Sequence, residues 1–360
     1  MTQGRPPAPR SLASSSEPLV QAHDVALVDL DGVVYLGREA VAGAVAYLAA
    51  ARTGGMHLGY VTNNAARTPH QVARHLRELG IELDDGDVVT SAQAAARLVA
   101  AAVPAGSKVL VIGGTGLVQA LAEHGLHAVS TVADEPAAVV QGFHPSVGWE
   151  LLAEGSYAVA AGLPWVASNL DLSVPTPRGR APGNGTLVAA IRAATGSSPV
   201  VAGKPEPALV RESVLRTGSE RPLMVGDRLD TDISGATRYQ MPSLLVLTGV
   251  TSLAELVAAE GDERPDFVGA DLGALLSDQP AVTVDRAAGG IRARCAGWEA
   301  TVEDGRLRLR VSGTPAPLAG LAALRAVVAA GWAATDAGGS PVDVETVGGQ
   351  LDDLSTGPSS

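Results

Sequence analysis

The chain has a single cysteine, Cys295, among its 360 residues. One cysteine excludes a disulfide within the chain, and it excludes a metal or redox site of the paired CxxC type. This cysteine usage is consistent with a protein of the reducing cytosol. We therefore expect Cys295 to be a small buried residue rather than a reactive one.

Basic charge and long apolar runs are also scarce. The formal net charge is -12, so the chain lacks the net basic face that nucleic acid or an anionic membrane would require, and we expect a small-molecule partner. No apolar run approaches the roughly 18 residues needed to span a bilayer. Residues 1–18 contain no apolar core of a signal peptide and are expected to form a disordered tail, which predicts a cytoplasmic protein. The sequence leaves open whether the chain forms a homo-oligomer.

Short β-branched runs alternate with alanine- and leucine-rich segments from residue 25 to about residue 280. This alternation is typical of βαβ units and a parallel sheet, so the predicted fold class is α/β. The predicted strands are too numerous for one sheet. Polar residues near Thr90 and Thr195 indicate the two crossings of an inserted α/β domain, residues 92–195. The core is then formed by residues 19–91 and 196–280.

The sequence changes character after about residue 280. Apolar and polar residues alternate around Asp304-Gly305, a dipeptide typical of a type I′ hairpin. Residues 315–334 predict one helix with an apolar face, and PVDVET at 341–346 predicts a short strand. Residues 281–348 are therefore predicted to form a small separate α+β module. The further expectations are core positions for Trp298 and Trp332 and a tail at residues 349–360.

The stretch ALVDLDGVVY, residues 26–35, ends an apolar run with two aspartates, Asp29 and Asp31. Open α/β sheets bind ligands at the carboxyl ends of their strands, where this run would deliver both side chains. The structural alternative is a capping aspartate followed by a turn at Asp31-Gly32.

Three further apolar runs end in polar groups. GYVTNN ends in Thr62, Asn63 and Asn64, which can donate hydrogen bonds to an anion, although a turn that caps the next helix is also compatible. VVAGKPEP places Lys204, one of only two lysines, after a strand. Helix capping explains one aspartate after a strand, but LMVGDRLDTDISGA supplies three. These are Asp227, Asp230 and Asp232.

Carboxylates from two strand ends would repel each other without a cation between them. Two unit charges about 4 Å apart repel by about 4 kcal/mol at an effective dielectric near 20, and a substrate phosphate would add to this. All the candidate ligands are oxygens, and no Cys/His pair has zinc spacing. The predicted cofactor is therefore Mg²⁺, held by carboxylates and a substrate phosphate.

In their order and spacing, DLDGVVY, VTNN, GKPEP and GDRLDTD resemble the four motifs of the haloacid dehalogenase superfamily. More narrowly, they resemble NagD-like phosphatases, which carry a large α/β cap of the C2 type between the second and third motifs. The resemblance covers roughly residues 24–272 and implies a Rossmann-like parallel-sheet core. The extra C-terminal module is similar to that of actinobacterial glycerol 3-phosphate phosphatases. Glycerol 3-phosphate is therefore the first expected substrate, before 2-phosphoglycolate and sugar phosphates.

The resemblance implies a role for each motif residue. Asp29 would attack phosphorus and become an aspartyl phosphate, while Asp31 would protonate the leaving group and then activate water. Mg²⁺ would be held by Asp29, by the backbone carbonyl of Asp31 and by Asp227, with Asp232 supporting these ligands. The residues implied to contact the phosphoryl group are Thr62, Asn63, Asn64 and Lys204.

The predicted inserted domain contains a segment that resembles the substrate-selecting cap loop of NagD-like enzymes. The resemblance rests on Asn169, Asp171 and a Pro-Gly-x-Gly element. Val174 lies where the pyridoxal phosphate phosphatases of this group carry a histidine, which counts against an aromatic vitamin phosphate. We therefore count Asn169, Asp171 and Val174 among the candidate substrate residues.

Two other features of the inserted domain have competing interpretations. His144 replaces an acid that is frequent in the family; we interpret it as a surface or structural residue, with a substrate contact as the alternative. Glycines at 113, 114 and 116 suggest a dinucleotide site, but Gln119 stands where GxGxxG needs its third glycine. A tight turn is the favoured interpretation of these glycines.

Two functions other than hydrolysis remain open. A phosphotransferase would pass the aspartyl phosphate to an alcohol instead of water. A non-catalytic protein of the same fold would bind its ligand without turnover and would be expected to lack Asp29 or Asp31, both of which are present. The principal prediction is a Mg²⁺-dependent phosphatase acting on a small phosphorylated metabolite.

Overall fold

The computed structural model describes residues 10–176, 178–287, 290–313, 319–338 and 342–355. The strands are β1 (Val25–Asp29), β2 (Tyr35–Leu36), β3 (Glu39–Ala40), β4 (His57–Thr62), β5 (Val88–Thr90), β6 (Lys108–Ile112), β7 (His127–Val129), β8 (Ala138–Gln141), β9 (Trp165–Ala167), β10 (Ser173–Thr176), β11 (Gly179–Pro182), β12 (Val200–Val201), β13 (Pro222–Gly226), β14 (Ser243–Val246), β15 (Phe267–Gly269), β16 (Thr283–Ala287), β17 (Gly290–Cys295), β18 (Trp298–Glu303) and β19 (Arg306–Val311). The helices are α1 (Leu19–Ala22), α2 (Ala44–Thr53), α3 (Pro69–Glu78), α4 (Ser91–Ala102), α5 (Thr115–Glu123), α6 (Trp149–Ala160), α7 (Asn184–Thr195), α8 (Pro207–Thr217), α9 (Ser234–Tyr239), α10 (Leu253–Ala258), α11 (Ala319–Asp336) and α12 (Glu345–Ser355).

The chain divides into two compact units. The first combines the residues up to Leu58 with those from Glu220 onward, and the second contains residues 59–219. Both units contain parallel strands with intervening helices, so the predicted α/β fold class is confirmed. The domain boundaries inferred from composition stay a prediction.

In the first unit the strands follow the order β15-β14-β13-β1, and each neighbouring pair is parallel. The runs VALVD, PLMVG and SLLV are almost entirely buried because helices cover both faces of a parallel sheet. β1 and β13 are in direct register, with Val28 opposite Val225. Their carboxyl ends therefore lie side by side, which brings Asp29 close to the residues that follow Gly226.

The C-terminal residues of the first unit form an antiparallel sheet in the order β16-β17-β18-β19. Asp304 and Gly305 both have positive φ, 49° and 73°, so the predicted type I′ hairpin between β18 and β19 is confirmed. Helix α11 packs on β17 and β18, and Trp298 and Trp332 are buried as predicted. One cluster of buried side chains runs from the parallel sheet into this segment, so the C-terminal residues share a core with the strands before them.

The single cysteine belongs to this shared core. Cys295 is buried, and burial raises the pKa of its thiol although the neighbouring Arg325 guanidinium opposes the rise. A buried thiol with a raised pKa is a poor nucleophile, which agrees with the structural interpretation of Cys295.

Both ends of the described chain are more ordered than composition suggests. Arg10 donates to Asp266 at 2.9 Å, and Ser15 exchanges two backbone hydrogen bonds of 2.9 Å with Gln279, so residues 10–18 are not a tail. The first nine residues of the predicted tail lie outside the described residues. At the other end, Asp343 forms only an isolated bridge where a strand is predicted, and helix α12 occupies most of the predicted tail.

The second unit contains its own parallel sheet, in the order β12-β9-β8-β6-β7. Buried side chains of β6, β8 and β9 pack with α6 and α7. The glycines at 113 and 114 form the turn between β6 and α5, with Gly114 at the helix N-cap, as the turn interpretation expects. Strands β4 and β5 form a parallel pair in this unit, with Thr62 opposite Thr90.

In the part of the chain that the structure describes, no helix combines the length and the apolarity that crossing a bilayer requires.

A buried carboxylate joins two helices of the second unit and makes its stability depend on pH. Glu212 of α8 is buried and accepts hydrogen bonds from Arg97 of α4 and from Arg216, the latter at 2.6 Å. Burial alone would raise the pKa of Glu212, but the two guanidinium groups outweigh it and hold that pKa below 4.5. The ionised Glu212 carboxylate, held by two guanidinium groups, therefore stabilises the fold above pH 4.5, and this contribution is lost as the pH falls through the lowered pKa.

We predict that Glu212→Gln lowers the free energy of unfolding at pH 7 by about 1 to 2 kcal/mol, since charge-assisted hydrogen bonds become neutral ones. The variant should also lose part of the fall in Tm that the wild type shows below about pH 4.5. Thermal unfolding between pH 3 and pH 7 measures both effects, with Glu150→Gln, an exposed glutamate of α6, as the control. Equal pH dependence in wild type and Glu212→Gln would contradict this account.

Candidate active site

Strand β1 ends at Asp29, and the chain then turns sharply. The amide of Val34 donates to the carbonyl of Leu30 at 2.9 Å, and the amide of Gly32 donates to the carbonyl of Tyr35 at 2.9 Å. Asp29 is half-buried, whereas Asp31 is exposed. The same short motif thus delivers one shielded carboxylate and one that solvent can reach.

Strand β13 delivers the second set of acids. Asp227 follows its last residue and is fully buried, and a five-residue π-helical turn, Leu229–Ile233, carries Asp232, which is 1% exposed. The amide of Arg228 donates to Asp232 Oδ2 at 3.1 Å. Asp230 differs from the other two, because it is exposed and pairs with the Arg228 guanidinium at 2.8 Å. Two of the three predicted aspartates therefore face inward.

Asp29, Asp227 and Asp232 form one carboxylate cluster, in which one oxygen from each residue lies within 4.8 Å of the others. Each pair of charges at about 4 Å repels by about 4 kcal/mol at an effective dielectric near 20. A hard divalent cation offsets this repulsion, and an all-oxygen donor set suits Mg²⁺. The residues present therefore fit the predicted metal. Among the described residues, the Asp31 carboxylate is not part of a cluster that could hold a metal ion. The predicted role of the Asp31 backbone carbonyl as a metal ligand stays a prediction.

The loop after β14 supports the cluster and was not foreseen from the sequence. The amide of Val250 donates to Asp227 Oδ2 at 2.6 Å, and the Thr248 hydroxyl donates to the carbonyl of Gly32 at 2.7 Å. A side chain at Gly249 would overlap Asp227, so the backbone of this loop approaches the carboxylate directly. The available signal was the end of the apolar run PSLLVLT, which is one more strand end in the same sheet.

In the second unit, Thr62 is buried at the end of β4. Its hydroxyl accepts a hydrogen bond from the amide of Asn64 at 3.1 Å, and Asn64 Oδ1 accepts from the amide of Ala66 at 2.8 Å. The turn considered as an alternative is therefore present. Asn64 itself is exposed, and phosphate binding by this turn stays a prediction.

Asn63 and Lys204 are hydrogen-bonded to each other through the Lys204 main chain. Asn63 Oδ1 accepts from the Lys204 amide at 2.8 Å, and Asn63 Nδ2 donates to the Lys204 carbonyl at 3.1 Å. Lys204 is 3% exposed. The second and third predicted motifs therefore meet within one unit, as the sequence interpretation requires.

The loop that follows β9 is tied to the start of α7. Asn184 Nδ2 donates to the carbonyl of Asn169 at 2.7 Å, and the amide of Gly185 donates to the carbonyl of Asp171 at 2.9 Å. Asn169 is buried, Asp171 is half-buried, and Val174 lies in the β10–β11 hairpin opposite Ala181. The Pro-Gly-x-Gly element thus holds this loop in place, and its buried Asn184 is a supporting residue that the sequence pattern does not identify.

His144 has a local partner. Its Nδ1 lies 2.6 Å from the Ser146 hydroxyl, which agrees with the structural interpretation.

Comparison with known proteins decides the family. A haloacid dehalogenase-like hydrolase model matches residues 26–127, and a HAD-hydrolase-like model matches residues 201–275. The D-glycerol 3-phosphate phosphatase of Mycobacterium tuberculosis is 45% identical over 320 residues, which cover 88% of each chain. The chain belongs to the haloacid dehalogenase superfamily. The predicted recognition and the predicted enzyme class, a haloacid dehalogenase phosphatase, are confirmed.

Other members of the superfamily give the same result. The acid sugar phosphatase of Staphylococcus haemolyticus is 35% identical over 70% of this chain and 95% of its own. The M. tuberculosis glycerol phosphate phosphatase in complex with magnesium superposes with a TM-score of 0.80, at 41% identity, over 94% of this chain and 99% of its own. A 4-nitrophenylphosphatase from Thermotoga maritima gives a TM-score of 0.66 at 30% identity, over 72% of this chain and 98% of its own.

The predicted Mg²⁺ cofactor agrees with the magnesium complex of the M. tuberculosis glycerol phosphate phosphatase and with the carboxylate cluster in this chain.

We predict that Mg²⁺ raises the Tm of the wild type and that Asp227→Asn loses most of this shift, because the variant removes a charged oxygen from the cluster. Its affinity for Mg²⁺ should fall by more than about tenfold, since even the loss of an outer partner of a metal ligand has an effect of that size. Calorimetric titration and thermal unfolding measure both quantities without turnover.

Asp230→Asn is the matched control for this metal prediction. It removes the same charge three residues away, but from a carboxylate that pairs with Arg228 at the surface. The control should bind Mg²⁺ like the wild type. If both variants bind Mg²⁺ equally well, the cluster is not the metal site.

Proposed function

We propose that the protein is a Mg²⁺-dependent phosphomonoester hydrolase that acts on a small organophosphate through an aspartyl phosphate on Asp29. The observation that carries this proposal is the convergence of Asp29, Asp227 and Asp232 at the carboxyl ends of β1 and β13. The proposal is also supported by the place of these aspartates in the DLDGVVY and GDRLDTD motifs, at or just beyond the ends of the two strands.

In the first half-reaction, a carboxylate oxygen of Asp29 attacks phosphorus, and the bond between phosphorus and the ester oxygen breaks. The departing alkoxide takes a proton from Asp31. Asp31 suits this role because it is exposed, so it can exchange protons with substrate and water, while Asp29 is partly shielded.

In the second half-reaction, water attacks the phosphorus of the aspartyl phosphate and gives its proton to Asp31. The bond between phosphorus and Asp29 then breaks, so inorganic phosphate leaves and both acids return to their starting states. One difficult hydrolysis is thus divided into two easier displacements, and the leaving group of the second is the Asp29 carboxylate.

The remaining motif residues bind and orient the phosphoryl group in this proposal. Lys204 supplies a positive charge for its oxygens, and the Thr62 hydroxyl and the Asn64 amide group donate hydrogen bonds to it. Bound Mg²⁺ would be held by Asp29, Asp227 and the Asp31 carbonyl, with Asp232 in support, and would neutralise charge on the phosphoryl oxygens.

We propose glycerol 3-phosphate as the first substrate, with 2-phosphoglycolate and sugar phosphates after it. The acid sugar phosphatase matches 70% of this chain with 95% of its own length, so it is too short to match both the C-terminal segment and all of the chain before it. The match to the D-glycerol 3-phosphate phosphatase extends over 88% of both chains and therefore includes part of that segment. Asn169, Asp171 and Val174 are the residues we assign to substrate choice.

A cytoplasmic location and self-association remain predictions. The acidic net charge and the single buried cysteine are compatible with the first.

We predict that the wild type releases phosphate from glycerol 3-phosphate faster than from 2-phosphoglycolate or hexose phosphates, and only with Mg²⁺. Asp29→Asn should lose at least about 1000-fold in kcat, because the amide is a far weaker nucleophile than the carboxylate. Phosphate release across this panel measures both effects, with Asp230→Asn as an active control.

Added alcohols separate hydrolysis from phosphoryl transfer. Release of free phosphate that is unaffected by glycerol or ethanol supports the hydrolase, whereas formation of a new phosphate ester would favour a phosphotransferase. A wild type that releases no phosphate from any ester of the panel would defeat the proposed function.

A further inference from the structure

We propose that Asn63 is a positioning residue rather than a phosphate ligand: it holds the main chain of Lys204 and ties it to the loop Asn169–Asp171. This inference rests on the proposed function, because it concerns how the phosphate-binding lysine is held in place. It changes the role expected from the sequence, which grouped Asn63 with Asn64 as a substrate contact.

The side chain of Asn63 is already committed to protein groups. Its Oδ1 accepts from the Lys204 amide at 2.8 Å, and its Nδ2 donates to the Lys204 carbonyl at 3.1 Å and to Asp171 Oδ2 at 3.4 Å. The carboxamide pairs with both polar groups of one residue, as a neighbouring strand would. Such a pair restrains both backbone torsions of Lys204 and therefore the direction in which its side chain leaves the chain.

The space around Gly203 independently supports this contact. A Cβ at Gly203 would lie 2.6 Å from Asn63 Oδ1 and 2.5 Å from the carbonyl of Ser168, closer than carbon and oxygen atoms pack. Residue 203 must therefore be glycine for the Asn63 carboxamide to reach the Lys204 main chain. In the GK pair of the third motif, Lys204 thus supplies the charge, and Gly203 leaves the space that Asn63 needs to bind the Lys204 main chain.

The main chain of Asn63 is fixed as well. Its carbonyl accepts from the Ser91 hydroxyl at 2.5 Å and from Asn169 Nδ2 at 2.7 Å. Asn63 thus connects the end of β4, the start of α4, the loop after β9 and Lys204. A rearrangement of that loop would therefore reach the main chain of Lys204 through Asn63.

A residue that acts only through Lys204 has a recognisable kinetic signature. Asn63→Ala should lower kcat by about 10- to 100-fold, the size typical of removing a residue that orients a catalytic ligand. In a Lys204→Ala background the same change should cost less than about twofold, because the group that Asn63 positions is gone. A direct substrate ligand would instead show independent losses that multiply.

The experiment is this double-mutant cycle, measured both as kcat for glycerol 3-phosphate and as the Kd for inorganic phosphate by calorimetry with Mg²⁺ present. Strong non-additivity in the cycle supports the positioning role. Independent, multiplying losses overturn it and return Asn63 to the substrate. Circular dichroism and Tm of each variant show that the fold is retained.

A glycine pair provides a second test that leaves Asn63 itself unchanged. Gly203→Ala should reproduce the Asn63→Ala loss, because its methyl group would displace the carboxamide. Gly148→Ala is the matched control, since a Cβ there meets nothing within 4 Å and its φ of −111° is ordinary. Full activity in Gly203→Ala would contradict the inference.

Failure of this inference differs from failure of the proposed function. If the wild type hydrolyses no ester, the proposed function fails, and the cycle in phosphate Kd alone decides the role of Asn63. If the wild type is active but the cycle is additive, only the inference fails. A wild type that neither hydrolyses esters nor binds phosphate overturns both.

Discussion

Repulsion among three clustered carboxylates, two of them buried and one half-buried, is the constraint on which the proposed chemistry depends. Asp29, Asp227 and Asp232 converge because β1 and β13 are parallel neighbours in direct register. Packing of apolar strands holds these charges together against their repulsion, so the site is arranged for a cation before any ligand arrives. The amide of Val250 and the glycine backbone around Asp227 then fix one carboxylate in place.

In the second unit, hydrogen bonds hold the main chain of one buried lysine, Lys204. The side-chain amides of Asn63, Asn169 and Asn184 form a chain of hydrogen bonds from the Lys204 main chain to the start of α7. Each amide side chain can donate and accept hydrogen bonds at once, so these contacts are directional. The first unit thus contains clustered charge, and the second contains a lysine whose main chain is fixed.

Asp29, Asp227 and Lys204 can be picked out from the sequence because each lies at or just beyond the end of a strand whose apolar run stops abruptly, and this signal is local. The hairpin at Asp304-Gly305 is predictable for the same reason. Thr248, Val250 and Ser91 were missed because their contacts depend on which strand and loop ends become neighbours, which no local pattern contains. The order of residues 10–18 also rests on distant partners, since Arg10 binds Asp266 and Arg325 binds the carbonyl of Ala13.

The central claim is that Asp29 carries the phosphoryl group during turnover, and trapping this species tests it most directly. The wild type is quenched with acid during turnover of glycerol 3-phosphate, treated with borohydride and digested for mass spectrometry. The account predicts reduction of Asp29 to homoserine in the peptide that contains residues 26–35, and no such product in Asp29→Asn. Rapid turnover with an unmodified Asp29, or reduction at another aspartate, would contradict it.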